Sequence, residues 1–136
     1  MPDQYILDRI QLQDVMLDYA AAVDQRDRNR YRNCFTEDVE VFNFGEEIYR
    51  GRDVWVDYVW NALSNYSATQ HLLGPQLATI GGDAATTRCD VQALHFLADD
   101  AGRFILWGSY LTNMRREQGQ WKICRHELSV VGTSQD

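Results

Sequence analysis

Ala85-Thr86-Thr87-Arg88-Cys89-Asp90-Val91-Gln92-Ala93-Leu94-His95-Phe96-Leu97, then Phe104-Ile105-Leu106-Trp107-Gly108-Ser109-Tyr110-Leu111-Thr112-Asn113-Met114-Arg115-Arg116, then Trp121 to Val131, decides the fold. These are three strands in succession, separated by the turn sequences Asp99-Asp100-Ala101-Gly102 and Gln118-Gly119. Just upstream, Gly81-Gly82-Asp83 is another hairpin turn, and Thr69 to Ile80 is extended apart from a break at Gly74-Pro75. The first half is helical. Leu12, Met16, Tyr19 and Val23 recur at helical spacing between Ile6 and Val23, beside Ile6 and Ile10. A second stripe, Leu17, Ala20, Ala21 and Asp24, is small and apolar until it ends in a carboxylate. A short helix follows over Asp27 to Arg32, then a strand from Glu40 to Phe44 that Gly45 ends. Gly51 precedes an amphipathic helix with Trp55, Tyr58, Val59, Ala62 and Leu63 on one face and Asp53 in its first turn. Helices followed by an antiparallel meander make an α+β domain, a curved sheet wrapped over helices. Ser134-Gln135-Asp136 is expected to fray.

A chain of 136 residues holds one domain, residues 1–136, and with 45% hydrophobic residues it can bury a sizeable interior. The net charge of −7 argues against nucleic acid, whose phosphates need a surplus of Lys and Arg. Arg26, Arg28, Arg30 and Arg32 do not change this. Their i, i+2 spacing scatters them over several helix faces, interleaved with Asp24 and Asp27, which reads as a salt-bridged surface. No apolar run approaches the length of a membrane span. Cys34, Cys89 and Cys124 are odd in number and widely spaced, which suits packing in a reducing compartment; a cytoplasmic location is the expectation.

Strand alternation says which side chains face inward. Thr87, Cys89, Val91, Ala93 and His95 form the smaller, more apolar set on one strand. Phe104, Leu106, Gly108, Tyr110, Thr112, Met114 and Arg116 form the inner set on the next, so the inner wall is expected to carry a His, a Tyr and an Arg. Trp107, Leu111 and Leu94 then form an apolar patch outside. Twelve of the thirteen Lys and Arg residues are Arg, so a Schiff base would rest on Lys122 alone. His71, His95 and His126 lack any local metal-ligand spacing, and no GxSxG elbow is present. Asp24 has two readings. It is an N-cap for the short helix, or a carboxylate at a helix C-terminus, where the dipole disfavours it and a histidine partner would compensate.

The chain resembles, over essentially its whole length, the SnoaL-like group of the nuclear-transport-factor-2-like superfamily. The resemblance lies in Ala22-Val23-Asp24-Gln25-Arg26-Asp27, Phe35-Thr36-Glu37-Asp38-Val39, Thr69-Gln70-His71-Leu72-Leu73-Gly74 and the closing Tyr110 … Arg115-Arg116-Glu117-Gln118-Gly119-Gln120-Trp121-Lys122-Ile123. The Thr-Gln-His segment is similar to that of scytalone dehydratases, and the Val-Asp-x-Arg segment to that of hexachlorocyclohexane dehydrochlorinases. Bile-acid dehydratases are similar as well. The resemblance implies a cone-shaped, cystatin-like α+β fold and a catalytic dyad of Asp24 and His71. It also implies pocket roles for Tyr19, His95 and Arg116, the last at the leaving group. The segment Asn43 to Arg50, with Tyr49, departs from the pattern, and Ala93 stands where bile-acid dehydratases carry an aspartate.

Together these imply a cofactor-independent, metal-free lyase of the dehydratase type acting on a small hydrophobic molecule. His71 would take a proton from carbon, and Arg116, Tyr110 or His95 would stabilise what departs. The same dyad would serve an isomerase or hydrolase, and the fold also serves non-catalytic binding and assembly modules. The resemblance further implies a homo-oligomer packed through the outer sheet face, a trimer in preference to a dimer.

Overall fold

Leu12, Met16, Tyr19 and Val23 are all buried along one face of the first helix, α1 (Pro2–Asp24), in a computed structural model that describes residues 2–136. This is the stripe expected from the spacing. Ile6, Ile10 and Leu17 face outward and remain exposed, so of the second stripe only Ala20 is buried and Asp24 is half-buried. The short helix α2 (Arg28–Arg32) is capped by Asp27, whose side chain accepts a hydrogen bond from the Arg30 backbone N–H. Asp24 is therefore the last residue of one helix and not the cap of the next. Arg28, Arg30 and Arg32 pair with Asp57, Asp18 and Asp53.

Among the described residues, seven strands form one sheet: β1 (Phe35–Phe42), β2 (Tyr49–Arg50), β3 (Tyr66–Leu73), β4 (Leu77–Gly81), β5 (Ala84–Leu97), β6 (Arg103–Glu117) and β7 (Gln120–Gln135). Their order is β2-β1-β7-β6-β5-β3, and β4 also pairs with β5. The Gly74-Pro75 break lets β3 and β4 cover successive halves of one edge of β5. Helix α3 (Arg52–Leu63) packs on β1 with Trp55, Val56 and Leu63 buried.

Three features differ from the sequence reading. The sheet is mixed, because β1 runs parallel to β7. The first strand begins at Phe35 and is followed by the short β2. The C-terminal residues also do not fray. Ser134 and Gln135 pair with Ile105 and Phe104, and Asp136 forms an ion pair with Arg103. The edge of β6 needed a hydrogen-bonding partner at this end, and the tail supplies it.

Register shifts in the β6–β7 pairing, between Trp107 and Gly108 and between Asn113 and Met114, bend these long strands. At the first shift a Cβ on Gly108 would lie 2.6 Å from the Ser129 carbonyl oxygen, so the bend requires glycine there. The sheet curls around α1 into a cone. The inner sets of β5 and β6 are as the alternation predicts: Thr87, Cys89, Val91 and Ala93 are buried, as are Tyr110, Thr112 and Met114.

Candidate active site

Asp24 ends α1 directly over β3, and the sheet delivers Thr69 and His71 to it from alternate positions of that strand. The His71 ring Nδ1 lies 2.8 Å from Asp24 Oδ1, and the His71 backbone N–H donates to Oδ2 at 2.8 Å. The Thr69 hydroxyl donates to Oδ1 at 3.0 Å. These donors answer the electrostatic objection to a carboxylate at a helix C-terminus. Burial alone would raise the Asp24 carboxyl. The hydrogen bonds from His71 and Thr69 outweigh it and hold the group below the ordinary carboxylate range. An ionised Asp24 only accepts, so in the neutral form of the imidazole the proton sits on Nδ1 and Nε2 keeps its lone pair. The two side chains are 21% and 10% exposed.

His71 borders a cavity of about 370 Å³ between α1, α3 and the inner sheet face. Its walls are mainly aromatic and aliphatic, with Tyr19, Tyr58, Tyr66, His95 and Tyr110 as the principal polar-tipped members. Ala93 lies opposite His71 across the β3–β5 pair, and this small side chain leaves room in front of the imidazole. His95 pairs with Thr69, and its ring is centred 6.0 Å from that of His71. Burial pulls its pKa down, outweighing the hydrogen bond to the Phe104 carbonyl oxygen at 3.2 Å. A carbonyl only accepts, so neutral His95 carries its proton on Nδ1 and keeps an accepting Nε2.

Tyr19 and Tyr110 pack edge to face, 5.3 Å between centroids, at the deep end of the cavity. Burial raises both phenols well above their ordinary value, so both stay protonated. The Tyr19 hydroxyl lies 2.9 Å from Nε2 of His126, whose Nδ1 is 2.9 Å from the Thr112 hydroxyl. His126 is 0% exposed, and burial pushes its pKa down to about 3. The cysteines offer no nucleophile at neutral pH: burial pushes Cys34 up to about 12 and Cys89 to about 11.

Arg116 is not in this cavity. It lies on the inner sheet face, as its parity predicts, but is held by Asp8 at 3.0 Å and Asp83 at 3.1 Å, and its guanidinium stacks over Trp121. Asp8 and Asp24 are sixteen positions apart on α1, about 24 Å at helical rise. Arg116 therefore closes the far end of the cone and has no reach to a leaving group beside His71. Asp8, unremarked in the sequence, continues the buried stripe of Leu12, Met16, Tyr19 and Val23 toward the N-terminus. A carboxylate at that spacing was the available signal of a buried partner. Tyr49 packs at a tilt against Tyr58 and Trp55 outside the cavity lining. Tyr66, centred 4.7 Å from His95, is a lining residue the sequence reading missed. A wider depression of about 610 Å³ between α1, α2 and the β6–β7 turn holds no such base.

Residues 4–127 match the SnoaL-like domain family, and the chain belongs to it. The fold is the nuclear-transport-factor-2-like cone of that family. The chain is 27% identical to uncharacterised proteins of Mycobacterium bovis and Mycobacterium tuberculosis, over 88% of its length and 83% of theirs. Among solved structures it superposes on a candidate scytalone dehydratase from Novosphingobium aromaticivorans with a TM-score of 0.92 at 24% identity, covering 98% of this chain and 91% of that one. A hexachlorocyclohexane dehydrochlorinase from Novosphingobium barchaimii gives 0.90 at 20% identity, covering 100% and 94%. A candidate aromatic ring hydroxylase from Novosphingobium aromaticivorans gives 0.87 at 28% identity, covering 96% and 94%. No described helix is long and apolar enough to cross a membrane.

Proposed function

We propose that this protein is a cofactor-independent lyase that removes water, or an analogous leaving group, from a small hydrophobic substrate. The observation that carries the reading is the 2.8 Å contact between Asp24 and His71 at the wall of an apolar cavity. His71 Nε2 takes a proton from a carbon beside a carbonyl. The C–H electron pair becomes the new double bond, and the C–O bond breaks with its electrons on oxygen. The imidazolium returns its proton to that oxygen, so water leaves and the dyad is regenerated. A departing halide needs no such proton, and the imidazolium then loses it to solvent. Asp24 holds the tautomer and stabilises the imidazolium between the two steps. Two of the structurally similar proteins bear the names of elimination enzymes, which supports the reaction class.

With Arg116 engaged elsewhere and the Tyr19 hydroxyl paired with His126, the phenolic hydroxyl of Tyr110 lines the cavity as a donor, while the accepting Nε2 of His95 suits a substrate hydroxyl. A formally charged substrate would lose its hydration against walls that offer no lysine or arginine, so the buried portion is uncharged. The dyad would equally serve an isomerase that returns the proton to another carbon. The test is a panel of hydroxy-ketones, hydroxy-acyl thioesters and halocarbons, read by release of water or acid. Release with formation of an alkene supports the lyase; isomerisation without release, or hydrolysis, replaces it.

The thiols of Cys34, Cys89 and Cys124 are all free, consistent with a cytoplasmic protein. On the outer sheet face Trp107, Leu94 and Leu111 are only half-buried, and Leu72 and Val131 stand exposed. We assign this face to a homotrimer in preference to a dimer. Light scattering should show a trimer that Trp107→Glu dissociates; a monomeric wild type overturns the assignment.

A further inference from the structure

We propose that Arg26 is a positioning residue for the Asp24–His71 pair, acting through the hydroxyl of Thr69. This rests on the reading of that pair as the catalytic base.

Arg26 occupies an unusual place. Helix α1 ends in a turn in which the Asp27 N–H bonds the Ala22 carbonyl at 2.8 Å and the Arg26 N–H bonds that of Val23 at 3.2 Å. This termination needs a left-handed residue, and Arg26 adopts it with φ +58°. Glycine takes that conformation most easily, and an arginine there is strained. The guanidinium also carries a buried Nη2 for which the described residues offer no hydrogen-bond partner. Both features disfavour arginine, so what the side chain touches must account for it.

It turns back over the helix end and touches two groups. Nη1 donates to the Val23 carbonyl at 2.5 Å and to Thr69 Oγ1 at 2.9 Å. The first bond is a helix-capping contact that any termination could supply in another way. The second has a consequence for the site. A hydroxyl has one proton. With Arg26 donating to the oxygen of Thr69, that proton is directed at Asp24 Oδ1, 3.0 Å away. Oδ1 is the same oxygen that receives His71 Nδ1. The polarity therefore runs one way, from guanidinium to hydroxyl to carboxylate, and each bond strengthens the next. An Asp24 held in this orientation keeps the His71 proton on Nδ1 and leaves Nε2 free toward the cavity.

Arg26→Gly separates this role from a structural one, because glycine suits the left-handed turn while removing the guanidinium. Thr69→Val removes the relay with little change of shape and serves as the second variant. The reading is the tautomer of His71 in each folded protein, taken from ¹⁵N NMR of the imidazole at about pH 8.5, where ordinary imidazoles are neutral. It needs no substrate. Wild type should show the Nδ1–H form alone. Both variants should melt close to wild type yet show a measurable Nε2–H population. With a substrate in hand, each should lose roughly tenfold in kcat, the scale of one hydrogen bond, with KM little changed. An unchanged tautomer in both variants overturns the proposal and leaves Arg26 as a helix cap only. Full activity in His71→Ala overturns instead the catalytic reading beneath it, while the tautomer comparison still decides what Arg26 does.

Discussion

His126 should make this protein acid-sensitive in a way that one substitution removes. The histidine is completely buried, and its folded-state pKa lies at about 3, against an unfolded value of about 6.5. Below the unfolded value the unfolded chain binds a proton that the folded one refuses. Stability contributed by neutral His126 is thus fully present above about pH 6.5 and falls by about 1.4 kcal/mol per pH unit as pH drops toward the folded value. The loss is about 3 kcal/mol by pH 4.5. In His126→Phe the ring volume is kept and the titration is gone, but the Tyr19 and Thr112 hydroxyls lose a partner each. That costs about 2 kcal/mol at pH 7.5, at about 1 kcal/mol for each bond. The two stability curves should therefore cross near pH 5, below which the variant is the more stable protein. Urea denaturation of both proteins at half-unit steps from pH 7.5 to 4.5 reads the effect directly, since every other titrating group is shared. A gap between the curves that stays constant with pH refutes the reasoning.

Asp24→Asn should lower turnover by about 10² to 10⁴, no more than His71→Ala does, because an amide beside Nδ1 favours the tautomer in which Nε2 is protonated. Its stability deficit relative to wild type should be constant above about pH 4 and close as pH falls through the depressed folded value, where wild-type Asp24 also becomes neutral. Arg116→Ala should leave kcat within about twofold of wild type while lowering stability by about 2 kcal/mol in thermal melts, since it strips the buried Asp8 of its ion pair. A collapse of kcat with stability intact would restore Arg116 to the leaving group.

The elements were legible where periodicity is strong, and the site where chemistry and spacing coincide. The buried stripe of α1 and the inner sets of β5 and β6 follow from repeats of 3.6 and 2 residues, because each of these elements keeps its phase along its length. Asp24 stood out because a carboxylate at a helix end is electrostatically awkward, and the awkwardness is real: three donors answer it. His126 was illegible for a local reason. Trp121 and Ile123 face inward with odd parity, but the register shift opposite Asn113 and Met114 inserts Cys124, so the inward set becomes His126 and Leu128. Arg116 shows a different limit. Alternation assigned its face correctly, yet a face is silent about position along a cone whose two ends lie about 24 Å apart on α1. The parallel β1–β7 pairing joins segments nearly ninety residues apart, beyond any local pattern.

The central claim is that His71, backed by Asp24, is the base. It is tested most directly by kcat/KM of wild type and His71→Ala on whichever member of the panel turns over, with thermal melts alongside. A loss of about 10² to 10⁴ in kcat/KM, with stability changed by no more than about 2 kcal/mol, is the predicted result. Full activity in a folded His71→Ala would contradict the account.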